Sequence, residues 1–118
     1  MNYNLKGTGI SITDDIRAYL EKRLAALDKF VADDSAARVD VELEYIASEE
    51  KHYRAEFMLH DKIQLRAEAN GSSLYEAIDV AAGELSSELS RAKKKRLQNF
   101  RHSAVKVKEF LRGWRRKI

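Results

Sequence analysis

Apolar and polar residues alternate over the first six positions, with Met1, Tyr3 and Leu5 set against Asn2, Asn4 and Lys6. A period of two is that of a strand with one buried face. Gly7 and Gly9 are expected to end it. Thr13 then stands at a helix N-cap position, followed by Asp14 and Asp15 where the helix dipole favours negative charge. Ile16, Tyr19, Leu20, Leu24, Leu27 and Val31 recur at spacings of three and four as one apolar stripe. Arg17, Glu21, Lys22, Asp28 and Lys29 lie off that stripe, so a helix is predicted.

The period returns to two for about thirty residues. Val39, Val41, Leu43 and Tyr45 alternate with Arg38, Asp40, Glu42 and Glu44. Tyr53, Ala55, Phe57 and Leu59 alternate with Arg54, Glu56, Met58 and His60. Ile63, Leu65, Ala67 and Ala69 alternate with Gln64, Arg66, Glu68 and Asn70. Three half-buried strands are predicted, the last two joined at Asp61-Lys62 by a connection short enough to force a hairpin. After the Asn70-Gly71 turn, Ser73 and Glu76 form a capping box. Leu74, Ile78, Ala81, Leu85, Leu89 and Ala92 carry the buried stripe of a final helix, expected to end at about Arg96 or Phe100.

The predicted order is β-α-β-β-β-α, an α+β domain of about residues 1–97. Each strand has one apolar face, so both helices must cover the same side of a four-stranded sheet. The open side would carry Lys6, Arg38, Arg54 and Arg66 against Asp40, Glu42, Glu44, Glu56 and Glu68, with no aromatic. An RNA-binding sheet of the stacking kind needs exposed aromatics and a positive field, and this one has neither. RNA, if bound, is expected along the helices. A final helix of about 25 residues spans about 37 Å, more than four strands about 4.8 Å apart, so its basic end should overhang the sheet.

Charge changes the picture most. The chain has 118 residues, 22 of them Lys or Arg and 19 Asp or Glu, for a net +3. Residues 91–118 alone hold twelve Lys or Arg and a single acid, Glu109, leaving ten basic and 18 acidic residues in 1–90. A body near −8 joined to a segment near +11 points to a nucleic-acid or membrane partner for the basic end. Arg91, Lys93, Lys94, Lys95 and Arg96 are more cation than a helix C-terminal dipole needs. Residues 98–118 are expected to be a basic amphipathic extension. Val107, Phe110, Leu111 and Trp114 fall on one helical stripe among Lys106, Lys108, Arg112, Arg115 and Arg116. By pattern alone that segment suits RNA or ribosomal protein, a membrane surface or a calmodulin-type partner.

Candidate chemistry is sparse. Cys and Pro are absent, so neither a disulfide scaffold nor a thiolate metal site can form. The opening residues carry no apolar run of signal-peptide length and no stretch approaches the roughly 20 apolar residues of a membrane span, so a cytoplasmic location is expected. His52, His60 and His102 lack metal-ligand spacing. Gly7-Thr8-Gly9 lacks the rest of a phosphate-loop fingerprint. Ser86, Ser87 and Ser90 have no neighbouring His. A binder without cofactor or metal is expected, not an enzyme.

The opening "NYNLKGTGISITDDIRAYLEKRLAALDKF" and above all "SLYEAIDVAAGELSSELSRAKKKR" resemble the short-form ribosome hibernation-promoting factors, also called ribosome-associated translation inhibitors. The likeness covers about residues 1–97, and its most specific piece is Leu74-Tyr75-Glu76-Ala77-Ile78-Asp79. The resemblance implies a protein in the decoding channel of the small ribosomal subunit, overlapping the sites of messenger and transfer RNA. It implies basic side chains from both helices on ribosomal RNA phosphates, at Arg17 and Arg23 of the first and Arg91, Lys93 and Lys95 of the last. Ala26, Glu84 and Ser87 stand where relatives often carry Lys or Arg, and cations reappear at Lys94, Arg96 and beyond. The grip is therefore expected to shift toward the C-terminus. With Lys22, Lys29 and Arg101, these cations make up the candidate RNA-binding set.

The long form of the family adds a ribosome-pairing domain for which 118 residues leave no room, so pairing by that route is not expected. The implied partner is the small subunit and its rRNA, met by a monomer, with no membrane and no small-molecule substrate. The alternative is a stand-alone module for structured or double-stranded RNA, since strands under two helices with a basic terminus also suit A-form RNA.

Overall fold

The computed structural model describes residues 1–31 and 36–116, with side chains described through Lys95. Its elements are β1 (Asn2–Thr8), α1 (Asp14–Leu27) running into a 3₁₀ turn (Asp28–Phe30), β2 (Arg38–Tyr45), β3 (Tyr53–His60), β4 (Gln64–Gly71) and α2 (Leu74–Arg116). The order and the α+β class are those the periodicity predicts. The turn expected over Ala32–Ala37 falls largely outside the described residues.

The sheet is ordered β1-β2-β3-β4. β1 and β2 are parallel, from Asn2 opposite Arg38 to Thr8 opposite Glu44, and α1 makes the crossover between them. β2 and β3 pair antiparallel, as do β3 and β4. β1 runs through Gly7 rather than stopping there, and Gly9, at φ +71, turns the chain toward α1. That backbone region is nearly free for glycine alone.

Period-two alternation sends Val39, Val41, Leu43, Ala55, Phe57, Leu59 and Ala67 to one face, against Leu20, Leu24 and Leu27 of α1 and Leu74, Ala77, Ile78, Ala81, Ala82, Leu85 and Leu89 of α2. All are buried. No polar or charged residue is buried among the described residues.

Both helices start on the predicted signals. The Thr13 hydroxyl accepts from the Ile16 amide at 3.2 Å. The Ser73 hydroxyl accepts from the Glu76 amide at 3.1 Å, and the Glu76 carboxylate in return takes the Ser72 amide at 3.1 Å. That closes the capping box one residue earlier than its usual form.

The end of α2 differs from expectation. The helix passes residue 97 without a break and continues to Arg116, 43 residues in all, about 64 Å at the usual rise. No proline interrupts it, and residues 91–112 are mostly Lys, Arg, Leu, Ala and Gln, good helix formers. Leu89 is its last described core residue and Ala92 is half-buried. The radius of gyration is 20.0 Å, where a compact chain of this length would give about 13–14 Å. The excess is the projecting helix.

Candidate nucleic-acid interface

The two sides of the molecule treat their cations differently. On the open sheet face every basic residue is neutralised. The Arg54 guanidinium sits in the middle, 14% exposed, and bonds Glu42 at 3.0 Å, Glu44 at 3.1 Å, Glu68 at 2.7 Å and also Glu56. Arg66 reaches Glu56 and Glu68 at 2.7 and 2.6 Å. Lys6 pairs with Glu42 and Arg38 with Asp40, and the His60 ring meets Asp40 at 2.9 Å.

The register explains the cluster. Arg54 lies opposite Glu44 and Asn70, and Glu56 lies between Glu42 and Glu68. Four carboxylates thus surround one guanidinium at cross-strand spacing. The hydrogen bonds from Arg54 hold the carboxyls of Glu42 and Glu68 below the ordinary glutamate range, and the same partners, Glu68 first, raise Arg54 itself. Asp40 is lowered too, chiefly by the Asn4 amide and then by Arg38. This face holds no Phe, Tyr or Trp.

The helical side is the reverse. Arg17 and Lys22 of α1, Lys29 of the 3₁₀ turn, and Arg91, Lys93, Lys94 and Lys95 of α2 are all exposed. None of these seven makes an ion pair among the described residues. Lys29 lies over the Phe30 ring at 5.0 Å. The Arg91 side chain bends to the Ser87 carbonyl at 3.4 Å. The Lys93 ammonium donates to the Lys29 carbonyl at 3.3 Å, so it complements the dipole at the end of the first helical segment and brings Lys29 and Lys93 together. Ala26, Glu84 and Ser87 are exposed as well. They add no cation to that face, and the densest group of exposed cations is Arg91, Lys93, Lys94 and Lys95, beyond the last core turn of α2.

Arg23 stands apart. Its Nε lies 3.4 Å from Oδ1 of Asp79, and its Nη2 donates to the Asp79 carbonyl at 3.4 Å. The Tyr19 hydroxyl donates to the same Oδ1, which raises the Tyr19 phenol above its ordinary value. Tyr19 also meets Tyr75 edge-on, centroids 5.0 Å apart at 83°. Tyr19 opposite Tyr75 and Asp79, and Lys29 opposite Lys93, mean that the two helices run in the same direction. Periodicity shows α1 and α2 sharing a core but not which residues meet on their seam. No spacing in the sequence marks the Arg23–Asp79 pair or the Lys93 contact.

The side chains of Arg96 and Arg101 lie outside the described residues, as does the stripe of Val107, Phe110, Leu111 and Trp114. Among the described residues no helix is long and apolar enough to cross a membrane.

A four-stranded sheet with a self-neutralised open face, covered on its other side by parallel helices whose exposed cations make no ion pair among the described residues, defines an α+β protein with its available positive charge on the helical layer. Residues 3–97 match the family described as sigma 54 modulation protein / S30EA ribosomal protein, and the chain belongs to that family. It is 28% identical over 101 residues to the ribosome hibernation promotion factor of Bacillus subtilis, covering 86% of this chain and 53% of that one. It is 31% identical over 94 residues to the factor of the same name from Lactococcus lactis, covering 79% and 50%. The chain spans about half the length of these curated relatives. The N-terminal domain of Thermus thermophilus protein Y superposes with a TM-score of 0.66 at 34% identity, over 77% of this chain and 98% of that domain. A ribosomal subunit interface protein from Coxiella burnetii shares the fold, with a TM-score of 0.65 at 18% identity over 80% and 99%.

Proposed function

We propose that the protein is a ribosome-binding translation inhibitor and hibernation factor without enzymatic activity. It occupies the decoding channel of idle small subunits as a monomer, and basic residues of its helices contact rRNA phosphates. One observation carries the reading: Arg54, Arg66, Lys6 and Arg38 are paired on the sheet, while Arg17, Lys22, Lys29, Arg91, Lys93, Lys94 and Lys95 on the helical side are not. Unpaired exposed cations are what a phosphate backbone selects, because each neutralised phosphate releases condensed counterions. Membership of the S30EA family and the names of the matched relatives support the ribosome as the RNA concerned.

Binding by counterion release weakens by about 0.7 to 0.9 in log K per decade of salt for each phosphate contacted. Co-sedimentation of the protein with purified small subunits at rising salt tests the reading. A steep loss, in line with about six to eight contacts, is expected, together with competition by messenger or transfer RNA. Salt-insensitive pelleting argues against it. Equal affinity for a plain RNA duplex and for the subunit would favour a general structured-RNA module instead.

A further inference from the structure

The ion pair on the helix seam is poorly made. Arg23 touches Asp79 through two contacts, both at 3.4 Å, at or beyond the limit of a good N–H···O bond. Its Nε is buried and makes no hydrogen bond. Oδ1 of Asp79, the atom it faces, already accepts from Tyr19. By contrast, Arg54 holds its carboxylates at 2.7 to 3.1 Å. The Arg23 side chain is 36% exposed and lies on the same helix as the unpaired Arg17 and Lys22. Among the described residues it is therefore a guanidinium held in position but with much of its bonding capacity unused.

We propose that Asp79 stands in for an RNA phosphate while the protein is free: it parks the Arg23 guanidinium on the α1–α2 seam, and a phosphate takes it over when RNA docks. This rests on the RNA-binding reading above. The exchange is favourable because a phosphate offers a planar guanidinium two short charge-assisted bonds of about 2.7–2.9 Å. Asp79 is left with the Tyr19 hydroxyl and is not stranded. The seam survives, since the Tyr19–Tyr75 contact and the core stripes do not involve Arg23.

The test is co-sedimentation of the full chain with small subunits across a salt series, with the melting temperature of each variant taken in parallel. Arg23→Ala is expected to make the slope of log K against log salt shallower by about 0.7 to 0.9, the signature of one lost phosphate. Asp79→Asn is expected to tighten binding on the order of two- to fivefold, the range of an exposed ion pair, and to give no such gain once Arg23 is Ala. Tyr19→Phe, which frees Oδ1 for Arg23 alone, is expected to weaken binding with little change in melting. An Arg23→Ala variant that melts earlier but keeps the full salt slope makes the pair a fixed structural tie and overturns the exchange. So does an Asp79→Asn gain that persists beside Arg23→Ala, since Asp79 would then act only as a repelling charge. If the wild-type chain does not pellet with subunits at low salt, the ribosome reading itself falls and takes the exchange with it, a result visible before any variant is compared.

Discussion

Arg54 shows how one side chain can decide the behaviour of a whole face. Four glutamates converge on it, and without it they would repel one another across three strands. The lowered carboxyls of Glu42 and Glu68 bind protons less readily folded than unfolded. Their contribution is thus present above the unfolded value and lost as pH falls through the folded one. Melting temperature should hold steady from neutral pH and drop below about pH 4. Arg54→Ala reverses the sign. The crowded carboxylates would then hold protons more tightly folded than unfolded, so the variant should gain stability on going from pH 8 to pH 5, the opposite of a lost attraction. At neutral pH its cost should be about 2 kcal/mol, between the values for exposed and buried pairs, read by urea unfolding. Gly71 matters for a steric reason. A Cβ there would lie 2.7 Å from the Ala77 amide and 2.9 Å from the Ser73 carbonyl, both backbone atoms of the α2 start that cannot swing away. Gly71→Ala should cost about 1–3 kcal/mol, and a melting temperature equal to wild type would contradict the packing.

At the scale of elements, much was legible because local chemistry and long-range packing ask for the same thing. Strand alternation, the Thr13 cap and the Ser73–Glu76 box each predict what the structure contains, and the two apolar stripes name most of the core. Ser73→Ala should remove the hydroxyl that takes the Glu76 amide and cost about 1 kcal/mol, whereas Leu85→Ala, fully buried in the same helix, should cost about 2–5 kcal/mol. A smaller loss for Leu85 than for Ser73 in thermal melts would mean that α2 is not held by its stripe. What was not legible depends on register between elements distant in sequence. Asn70-Gly71 reads as a turn, but the reason for glycine there is the approach of the α2 backbone, which only the packed structure reveals. Arg23 reads as one more surface cation, and its engagement with Asp79 comes from how two helices 56 residues apart align. The expected end of α2 falls short of the observed one because residues 91–112 hold neither Gly nor Pro and so carry no stop signal, and helix propensity alone lets the backbone continue.

For the whole molecule, charge is sorted by face as well as along the chain. The sheet face holds Lys6, Arg38, Arg54 and Arg66 against five carboxylates, so its cations are already spoken for and its remaining field is weakly negative. The helical face, toward the C-terminal end of α2, holds cations with no carboxylate partner among the described residues. A polyanion approaching the first face would have to break ion pairs before making new ones; approaching the second, it need only displace mobile counterions. The difference orients the molecule before any specific contact forms. It also separates two variants that net charge cannot distinguish. Lys6→Ala with Arg66→Ala removes two positive charges from the sheet, and Lys94→Ala with Lys95→Ala removes two from α2. If RNA meets the helices, the first pair should leave subunit co-sedimentation nearly unchanged while costing some thermal stability. The second should leave melting unchanged, weaken binding on the order of tenfold at moderate salt and flatten the salt slope by about 1.4 to 1.8. Similar losses from both pairs would mean that the partner senses only total charge, and the assignment of the interface to the helices would be wrong.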